Sequence, residues 1–224
     1  MFGKLFSTHS PTNSTEERKR MVEQQLRARG IRDERVLAAM AKVPREEFAE
    51  AEGIREAYGD HPLPIGEGQT VSQPYIVASM VEALQIAPED HVLEVGTGTG
   101  YQAAVLAELA AEVFTIERYP ELARKAQQIL SRLGYSNVHV AVGDGSLGLP
   151  EHAPYSKILV AAAAPGVPTP LITQLEEGGR LVIPIGTRTE QQIHLIRRVG
   201  DQTTTTVHEL CRFVPLVGEE GWKL

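Results

Sequence analysis

From His91 onward, short runs of apolar residues alternate with longer segments in which apolar positions recur at the helical period. The pattern predicts, in chain order, a strand to Val95, a helix from Tyr101, a strand to Ile116, a helix from about Pro120 to Leu133, a strand to Val142, a strand from Lys157 to Ala163 and a helix from about Pro168 to Glu176. Strands and helices in alternation build a parallel sheet that is covered on both faces. We therefore predict an α/β fold with a mostly parallel, twisted sheet.

The segment after Gly178 and Gly179 has a different pattern, in which turn residues separate three extended stretches. The stretches run from Arg180 to Ile185, from Gln191 to Val199 and from Thr203 to Phe213. Runs of this kind, separated by short turns, are typical of consecutive paired strands. We expect them to supply an antiparallel edge to the sheet.

The N-terminal part of the chain predicts two helices ahead of the first strand. The first begins at Ser14 and stops at Gly30, and the second begins at Asp33 and stops before Pro44. We expect both to pack at one edge of the sheet, as a lid or an extra layer. The residues before about Thr15 are polar and predict a mobile tail.

A loop and a third helix lead from these helices to the first strand of the sheet. Residues 62–69 contain too many prolines and glycines for a regular element, so we predict a long, shaped loop. Pro74 is typical of a helix start, and apolar residues from Tyr75 to Ile86 recur at helical spacing. The sequence thus predicts that the loop opens into a helix.

Composition and charge narrow the class of protein. The chain has 224 residues, of which 42% are hydrophobic, enough for one sizeable α/β domain with an attachment. A net charge of −7 argues against a nucleic-acid groove. The longest apolar run, Ile158 to Ala164, is too short to span a bilayer, and residues 1–14 lack the apolar segment of a secretory signal. We expect a soluble, cytoplasmic protein.

Cysteine and histidine offer no candidate for nucleophilic or metal chemistry. Cys211 is the single cysteine, and its apolar neighbours favour a buried structural thiol over a nucleophile. The seven histidines show no paired-ligand spacing, so we expect no metal site. We interpret them as surface or loop residues: His9, His61, His91, His139, His152, His194 and His208.

The motif with the most chemical information follows the strand that ends at Val95. The sequence VLEVGTGTGY, residues 92–101, places Gly96, Gly98 and Gly100 at alternate positions. Glycine tolerates positive φ and lets the backbone approach a ligand closely. The dinucleotide fingerprint G-x-G-x-x-G would require glycine where this chain has Tyr101. The spacing disfavours a dinucleotide, and a simple tight turn remains an alternative.

The next two strand ends carry carboxylates. Glu117 lies about 20 residues after the first glycine, where an acidic side chain can accept hydrogen bonds from both hydroxyls of a ribose. Asp144 lies between Gly143 and Gly145, where it can reach the exocyclic amine of an adenine. Either carboxylate alone is typical of a solvated loop. Together with the glycine loop, in this order, they favour an adenosyl ligand.

Several short segments carry more specific information. They are PLPIG at residues 62–66, QTVSQPY at 69–75, GYQAA at 100–104 and GDG at 143–145, with GGRLV at 178–182 and FVPL at 213–216 further on. Together they resemble the protein-L-isoaspartate O-methyltransferase family, whose members are S-adenosyl-L-methionine-dependent repair enzymes, and the segment QTVSQPY narrows the resemblance to this family. The resemblance spans roughly residues 21–222 and implies a Rossmann-like methyltransferase fold.

The resemblance also implies the reaction. A methyl group passes from S-adenosyl-L-methionine to the free α-carboxylate of L-isoaspartyl residues in damaged proteins and peptides, giving a methyl ester and S-adenosylhomocysteine. The implied partners are these proteins and peptides, and we expect a monomer with no nucleic-acid or membrane partner. We expect a single methyltransferase domain over residues 15–224, with helices and a substrate loop in 15–70 and the cofactor-binding core in 71–224.

Roles for individual residues follow from the same resemblance. Ser72 is the expected catalytic residue, beside the transferred methyl group, where it helps to place the acceptor carboxylate; the alternative is that Ser72 only caps the following helix. The expected cofactor-binding residues are Thr70, Val71, Gly96, Thr97, Gly98, Gly100, Glu117, Arg118, Asp144 and Gly145. The expected substrate-binding residues are Ile65, Gly66, Ser72, Pro215, Leu216 and Val217.

Two positions depart from the family pattern. Ser156 stands where an aspartate is usual, and Ala161 stands where threonine or glycine is common. Because both lie on or just before the predicted fourth strand, we expect them to change local detail of the sheet and pocket and not the reaction class.

Three other functional classes fit the residues less well. A methyltransferase acting on flipped bases usually carries an Asn/Asp-Pro-Pro-aromatic segment after the fourth strand, where this chain has AAAAP at residues 161–165. A nicotinamide oxidoreductase is opposed by Tyr101. A non-catalytic cofactor-binding module would have less reason to keep the segment around Ser72.

A carboxylate acceptor is already ionised at pH 7, so methyl transfer to it needs no general base.

Overall fold

The computed structural model describes residues 11–49 and 51–223, which form a central sheet with helices on both faces. The strands are β1 (Leu63–Pro64), β2 (Thr70–Val71), β3 (His91–Val95), β4 (Glu112–Glu117), β5 (Val138–Val142), β6 (Tyr155–Val160), β7 (Leu175–Gly186), β8 (Gln191–Val199) and β9 (Gln202–Cys211). The α-helices are α1 (Pro11–Arg20), α2 (Glu34–Lys42), α3 (Ile54–Ala57), α4 (Pro74–Leu84), α5 (Tyr101–Ala107), α6 (Pro120–Arg132) and α7 (Thr169–Thr173).

The central sheet has seven strands in the order β5-β4-β3-β6-β7-β8-β9. Strands β3 to β7 pair in parallel, and β8 and β9 add the antiparallel edge. The predicted fold class is confirmed. The chain runs outward from β3 through β4 to β5 and then returns to the other side of β3 with β6. Ligands of such sheets bind at this reversal of strand order, outside the carboxyl ends of the strands.

The core lies on both faces of the sheet, because successive side chains of a strand point to opposite faces. On β3, Val92 belongs to the hydrophobic cluster that includes α4, α5 and α6, whereas Leu93 belongs to the cluster that includes α7. Four of the five residues of β3 are buried. A strand buried on both faces fixes the loop that follows it, and here that loop is the glycine loop.

The two predicted N-terminal helices are present, but the first begins at Pro11 and not at Ser14, so residues 11–14 of the predicted tail are helical. Helix α1 begins at Pro11 and continues as a π-helical and then a 3-10 turn to Gly30, whose φ of 105° ends it. The side chain of Asp33 caps α2 by accepting a hydrogen bond from Arg35 N at 2.8 Å. The helices pack on α4 and α5 as an extra layer, not at the edge of the sheet. Residues 1–10 of the predicted tail lie outside the described residues.

Several predicted element boundaries are wrong, among them the start of the strand predicted from Arg180, which begins at Leu175 as β7. The fourth strand of the alternating pattern, β6, begins at Tyr155 and ends at Val160, and the helix predicted to Glu176 ends at Thr173. The reason is that Tyr155 already pairs with Leu175, so β7 starts soon after α7. The predicted loop over residues 62–69 also contains regular structure, because β1 pairs with β2 in a small antiparallel hairpin.

Two negative findings concern the described part of the chain. None of its helices is long and apolar enough to cross a membrane. No group of three histidine, cysteine or carboxylate side chains within it is arranged to hold a metal ion.

A buried carboxylate lies on β3 just before the glycine loop. Thr115 Oγ1 donates a hydrogen bond to Glu94 Oε2 at 2.6 Å, and Thr97 Oγ1 lies 2.6 Å from Thr115 Oγ1. Burial raises the pKa of Glu94 to about 8, and the hydrogen bond from Thr115 opposes this rise only in part. Glu94 is therefore protonated at pH 7 and connects β3 through β4 to Thr97 of the loop.

We predict that Glu94→Gln removes one component of the pH dependence of stability. Because the folded-state pKa lies above that of an unfolded glutamate, wild-type stabilisation by this group is complete below about pH 4.5 and is lost as the pH rises through about 8. The free energy of unfolding of wild type minus that of the variant should therefore fall between pH 5 and 9. Glu89→Gln, at an exposed carboxylate before the same strand, is the control. A pH-independent difference for Glu94→Gln would contradict the assignment.

Candidate active site

A cleft of about 780 Å³, its mouth included, opens at the carboxyl ends of β3, β4 and β6, where the strand order reverses. Its walls come from residues 69–72 around β2, from the glycine loop (residues 96–100), from residues 116–118 at the end of β4, and from residues 214–217 near the C-terminus. The lining residues are Gln69, Thr70, Val71, Ser72, Val77, Val95, Gly96, Thr97, Gly98, Thr99, Tyr101, Gln102, Ile116, Glu117, Arg118, Gly145, Ala161, Ala162, Val214, Pro215, Leu216 and Val217.

The three glycines of the loop have positive φ but different surroundings. Gly96 and Gly98, with φ of 96° and 55°, line the cleft. Gly100 does not line it, and a Cβ at this position would lie 3.1 Å from a methyl group of Leu130 on α6. The third glycine therefore allows α5 to begin close against α6. Gly100 lies against α6 and outside the cleft lining, so the structure gives no support to the prediction that it contacts the cofactor.

Glu117 joins the end of β4 to the glycine loop. Its carboxylate is almost fully buried, and its two oxygens accept hydrogen bonds from Gly98 N at 2.9 Å and from Tyr119 N at 3.0 Å. A carboxylate oxygen can accept more than one hydrogen bond, so both oxygens of Glu117 keep acceptor capacity. Glu117 also lines the cleft. The side chain can thus position the loop and still accept hydrogen bonds from a ligand.

Asp144 lies outside the cleft lining and is engaged by the chain itself. It accepts hydrogen bonds from Ser146 N at 2.9 Å, Ser146 Oγ at 2.7 Å and Glu219 N at 2.7 Å. Burial alone would raise the pKa of Asp144, but these hydrogen bonds and nearby Arg118 outweigh it and hold the pKa below its usual range. The side chain of Asp144 secures the C-terminal segment, and contact with adenine stays a prediction.

A second cavity, here named the side chamber, adjoins the cleft and has a volume of about 660 Å³ with its open mouth included. It is lined by Pro62, Thr70, Ser72, Gln73, Ile76, Ala161, Leu210, Cys211, Arg212, Phe213 and Val214. Four of these residues also line the cleft, namely Thr70, Ser72, Ala161 and Val214. Ser72 therefore stands in the wall that the two cavities share.

The alternative role of Ser72 as a helix cap is wrong. The N-cap of α4 is Gln73, and no side chain makes the capping hydrogen bond. Within residues 11–49 and 51–223, the Ser72 hydroxyl has no hydrogen-bond partner, and the side chain is half-buried. The hydroxyl is available to a ligand from either cavity.

Cys211 lines the side chamber without the properties of a nucleophile. The thiol is partly buried, and its Sγ lies 3.6 Å from Gln191 O. Burial, with the nearby charge of Glu209, raises the pKa of the Cys211 thiol to about 12, so it is protonated at neutral pH.

Most of the predicted site residues meet in the cleft, and four do not. Those that line it are Thr70, Val71, Ser72, Gly96, Thr97, Gly98, Glu117, Arg118, Gly145, Pro215, Leu216 and Val217. Besides Gly100 and Asp144, Ile65 and Gly66 lie outside the lining. Ile65 is fully buried, 3.3 Å from the position of a Cβ on Gly98, and so supports the loop from below. Gly66 lies in the exposed turn of the β1-β2 hairpin.

Several residues that line the two cavities were not predicted as site residues from the sequence. Ala161, for which we expected an effect on local detail of the sheet and pocket, lines both cavities, and a Cβ on Gly96 would lie 3.4 Å from its methyl group. Thr99 and Gln102 were missed although they flank the third glycine, and Arg212 of the side chamber was missed because it follows the edge strand β9.

A sequence model of the protein-L-isoaspartate(D-aspartate) O-methyltransferase family matches residues 16–221. The chain belongs to this family. A protein-L-isoaspartate O-methyltransferase of Koribacter versatilis is 59% identical over 206 residues, covering 92% of this chain and 93% of the relative. One of Methanoculleus marisnigri is 56% identical over 208 residues, covering 92% and 94%.

Solved structures of family members share the fold. One protein-L-isoaspartate O-methyltransferase superposes with a TM-score of 0.83 at 31% identity, covering 91% of this chain and 67% of that one. A putative member from Plasmodium falciparum, in complex with S-adenosyl-L-homocysteine, has a TM-score of 0.75 at 24% identity, covering 88% and 96%. The predicted family, reaction and enzyme class are confirmed, and with them S-adenosyl-L-methionine as the family's methyl donor.

We predict that Glu117→Gln weakens binding of S-adenosylhomocysteine by about 10- to 100-fold, the effect of losing hydrogen bonds to a charged group. The 2′-deoxy analogue of the ligand separates ribose contact from loop support. If Glu117 binds the ribose, the affinity penalty for the missing hydroxyl, measured by calorimetry, should be smaller in the variant than in wild type. Equal penalties in both proteins would show that Glu117 acts only by holding Gly98 and Tyr119.

Proposed function

We propose that the cleft binds S-adenosyl-L-methionine with its reactive end toward Ser72, and that the side chamber admits the isoaspartyl residue whose α-carboxylate accepts the methyl group. The observation that carries this proposal is the position of Ser72 in the wall shared by the two cavities. In a displacement, the attacking carboxylate oxygen, the methyl carbon and the leaving sulfur must lie in one line. Two adjoining cavities that share lining residues can hold the acceptor and the donor in that arrangement.

The residues of the cleft fit an adenosyl ligand with an amino-acid end. Gly96 and Gly98 permit close approach to the backbone, and Glu117 offers buried acceptors for ribose hydroxyls. Ile116 and Leu216 supply apolar surface for a purine. When bound, S-adenosyl-L-methionine supplies a methyl group carried on a positively charged sulfur.

The chain's own task is to hold the acceptor carboxylate. The carboxylate is ionised at pH 7, so no side chain has to remove a proton. The Ser72 hydroxyl, free of other partners in the described part of the chain, can donate a hydrogen bond to it. Because a serine nucleophile would need an activating base, Ser72 is better suited to orienting the acceptor than to attacking the donor.

The positive charge of Arg212 favours an anionic ligand in the side chamber. Among the described residues that line it, Arg212 is the only charged one, and no ion pair neutralises Arg212. Its other walls include the apolar side chains of Ile76, Phe213 and Val214. Arg212 is exposed, so solvent screens its attraction for a carboxylate, which is worth about 1 kcal/mol or less.

The peptide route to the chamber follows from its borders. Pro62 of the loop of residues 62–69 lines it on one side, and Phe213 and Val214 of the segment of residues 213–217 line it on another. We propose that an extended, flexible substrate enters between them. Repair follows when the next backbone amide nitrogen displaces methanol from the methyl ester to form a succinimide, which water can reopen as normal aspartate.

A paired-peptide assay tests the proposal. Two peptides that differ only in aspartate versus L-isoaspartate are incubated with the enzyme and S-adenosyl-L-methionine labelled in the methyl group. We expect label in the isoaspartyl peptide alone, as a base-labile ester. Equal labelling of both peptides, or of neither, would overturn the proposal.

We predict that Ser72→Ala lowers kcat/KM for the isoaspartyl peptide by about 10- to 100-fold, because one hydrogen bond to a charged group is lost. Affinity for S-adenosylhomocysteine should change little, because the hydroxyl is assigned to the acceptor. Ser131→Ala, at an exposed serine on α6, is the matched control. Unchanged turnover in Ser72→Ala would remove Ser72 from the mechanism.

We predict that Arg212→Met raises KM for the isoaspartyl peptide by about fivefold or more, since an attraction near the surface is worth about 1 kcal/mol. The dependence of KM on salt should also become flatter than in wild type. Arg124→Met, at an exposed arginine paired with Glu121 on α6, serves as the control. A wild-type KM and salt dependence in Arg212→Met would show that this charge does not recruit the carboxylate.

A further inference from the structure

The outer side of β9, here named the β9 edge (residues 202–211), is an unpaired edge of the central sheet. β9 is the last strand in the sheet order, and among the residues that the structure describes it pairs with β8 alone. Alternate residues of such a strand direct their backbone N–H and C=O groups outward, away from the neighbouring strand. An unpaired edge of this length is a template for pairing with another extended chain.

The usual protections of an exposed edge are absent from most of β9. Residues 202–207 include no charged residue, no proline and no glycine, and all six are exposed. A bulge at His208 and Glu209, where two residues of β9 lie opposite one of β8, is confined to the end of the strand. The carboxylate of Glu209 is turned toward α4, where it accepts a hydrogen bond from Ser79 Oγ. Because natural edges are blunted by charges, prolines or a covering segment, an edge without them fits a protein that binds extended chains.

The β9 edge leads to the side chamber. β3, β6 and β7 run in parallel, β8 runs back, and β9 therefore runs in the same direction as β3. Its C-terminal end lies at the carboxyl ends of the parallel strands, where the cleft opens. Leu210 and Cys211, the last two residues of β9, line the side chamber, and Arg212 of the chamber follows them. A chain that pairs with β9 thus reaches the chamber.

Apolar side chains are exposed on the same strand, next to the chamber. Val207 and Leu210 are 49% and 63% exposed, and Leu210 is the most exposed large hydrophobic side chain in the described part of the protein. Covering such side chains with a bound chain removes apolar surface from water, which stabilises a complex by about 25 cal/mol per Å². The backbone groups of the β9 edge, these two side chains and the chamber therefore form one continuous surface.

We propose that the polypeptide on one side of the isoaspartyl residue pairs with the β9 edge as an additional strand of the sheet. The inference rests on the proposed role of the side chamber as the acceptor site, and it adds how the rest of the substrate is held. Binding of this kind uses main-chain hydrogen bonds, which every sequence can offer. The partner is therefore a flexible segment of a protein with any side chains, and a segment fixed in a helix or an internal strand is excluded.

Backbone N-methylation of the substrate tests the proposal. The isoaspartyl peptide carries about eight residues on each flank, which span roughly 26 Å when extended. One amide at a time is methylated, and KM and kcat are measured. Because a paired strand turns alternate amides toward its partner, KM should rise about three- to tenfold at every second position of one flank, the effect of losing one hydrogen bond. Methylation of the other flank, beyond the residues next to the isoaspartate, should leave KM unchanged, and kcat should stay constant throughout.

Two proline variants test the same contact from the enzyme. Thr205 and Thr206 are exposed neighbours in the regular part of β9, so one of their amides faces β8 and the other faces outward. Proline is compatible with an edge strand only at an amide that faces outward. Of Thr205→Pro and Thr206→Pro, the variant with the higher melting temperature therefore lacks the outward amide, and the other variant is its matched control.

The more stable proline variant should raise KM for the long peptide by about threefold or more. Its KM should equal that of wild type for a peptide cut to roughly two residues on each flank, which is too short to lie along β9. If neither variant folds, the N-methylation series still decides, because it uses the wild-type enzyme.

Different results would overturn different claims. If the unmodified isoaspartyl peptide is methylated but N-methylation shows no alternation on either flank, the β9 edge does not bind the substrate. An alternating pattern together with a wild-type KM in the more stable proline variant would also overturn the assignment to β9. If the unmodified isoaspartyl peptide is not methylated, the proposed function itself is wrong.

Discussion

The site depends on the hydrogen bonds that the Glu117 carboxylate accepts from Gly98 N and Tyr119 N. They tie the glycine loop after β3 to the end of the neighbouring strand β4. Because both strands are buried, the carboxylate is held rigidly, and the loop takes its shape from the sheet. On the opposite side, Ile65 of the β1-β2 hairpin packs under Gly98. The loop is thus fixed between the sheet and the hairpin that leads into Ser72.

That arrangement explains how two cavities come to share one wall. The hairpin that supplies Ile65 ends at Val71, and Ser72 follows directly. Ala161, after β6, completes the wall from the sheet side, and its small side chain is needed because Gly96 lies against it. The walls of the cleft and of the side chamber are therefore positioned by the same contacts.

Features set by local chemistry were predictable from the sequence, and features set by contacts between distant segments were not. The helix cap at Asp33, the stop at Gly30 and the strands before the glycine loop all follow from neighbouring residues. The role of Gly100 depends on α6, and that of Asp144 depends on the distant C-terminal segment.

The same distinction holds within the site. The resemblance identified Ser72, but its exclusion as a helix cap needed the geometry of α4. Thr99 and Gln102 give no pattern in the sequence, because what marks them is their place in the lining of the cleft. Arg212 likewise joins Ser72 in the lining of one cavity only once β9 has been placed at the edge of the sheet.

A crystal structure of the enzyme with both S-adenosylhomocysteine and an isoaspartyl peptide would test the central claim most directly. The claim predicts the thioether in the cleft, the peptide α-carboxylate in the side chamber within hydrogen-bond distance of Ser72 Oγ, and the carboxylate facing the sulfur. A peptide carboxylate bound away from the wall that contains Ser72 and Ala161 would contradict it.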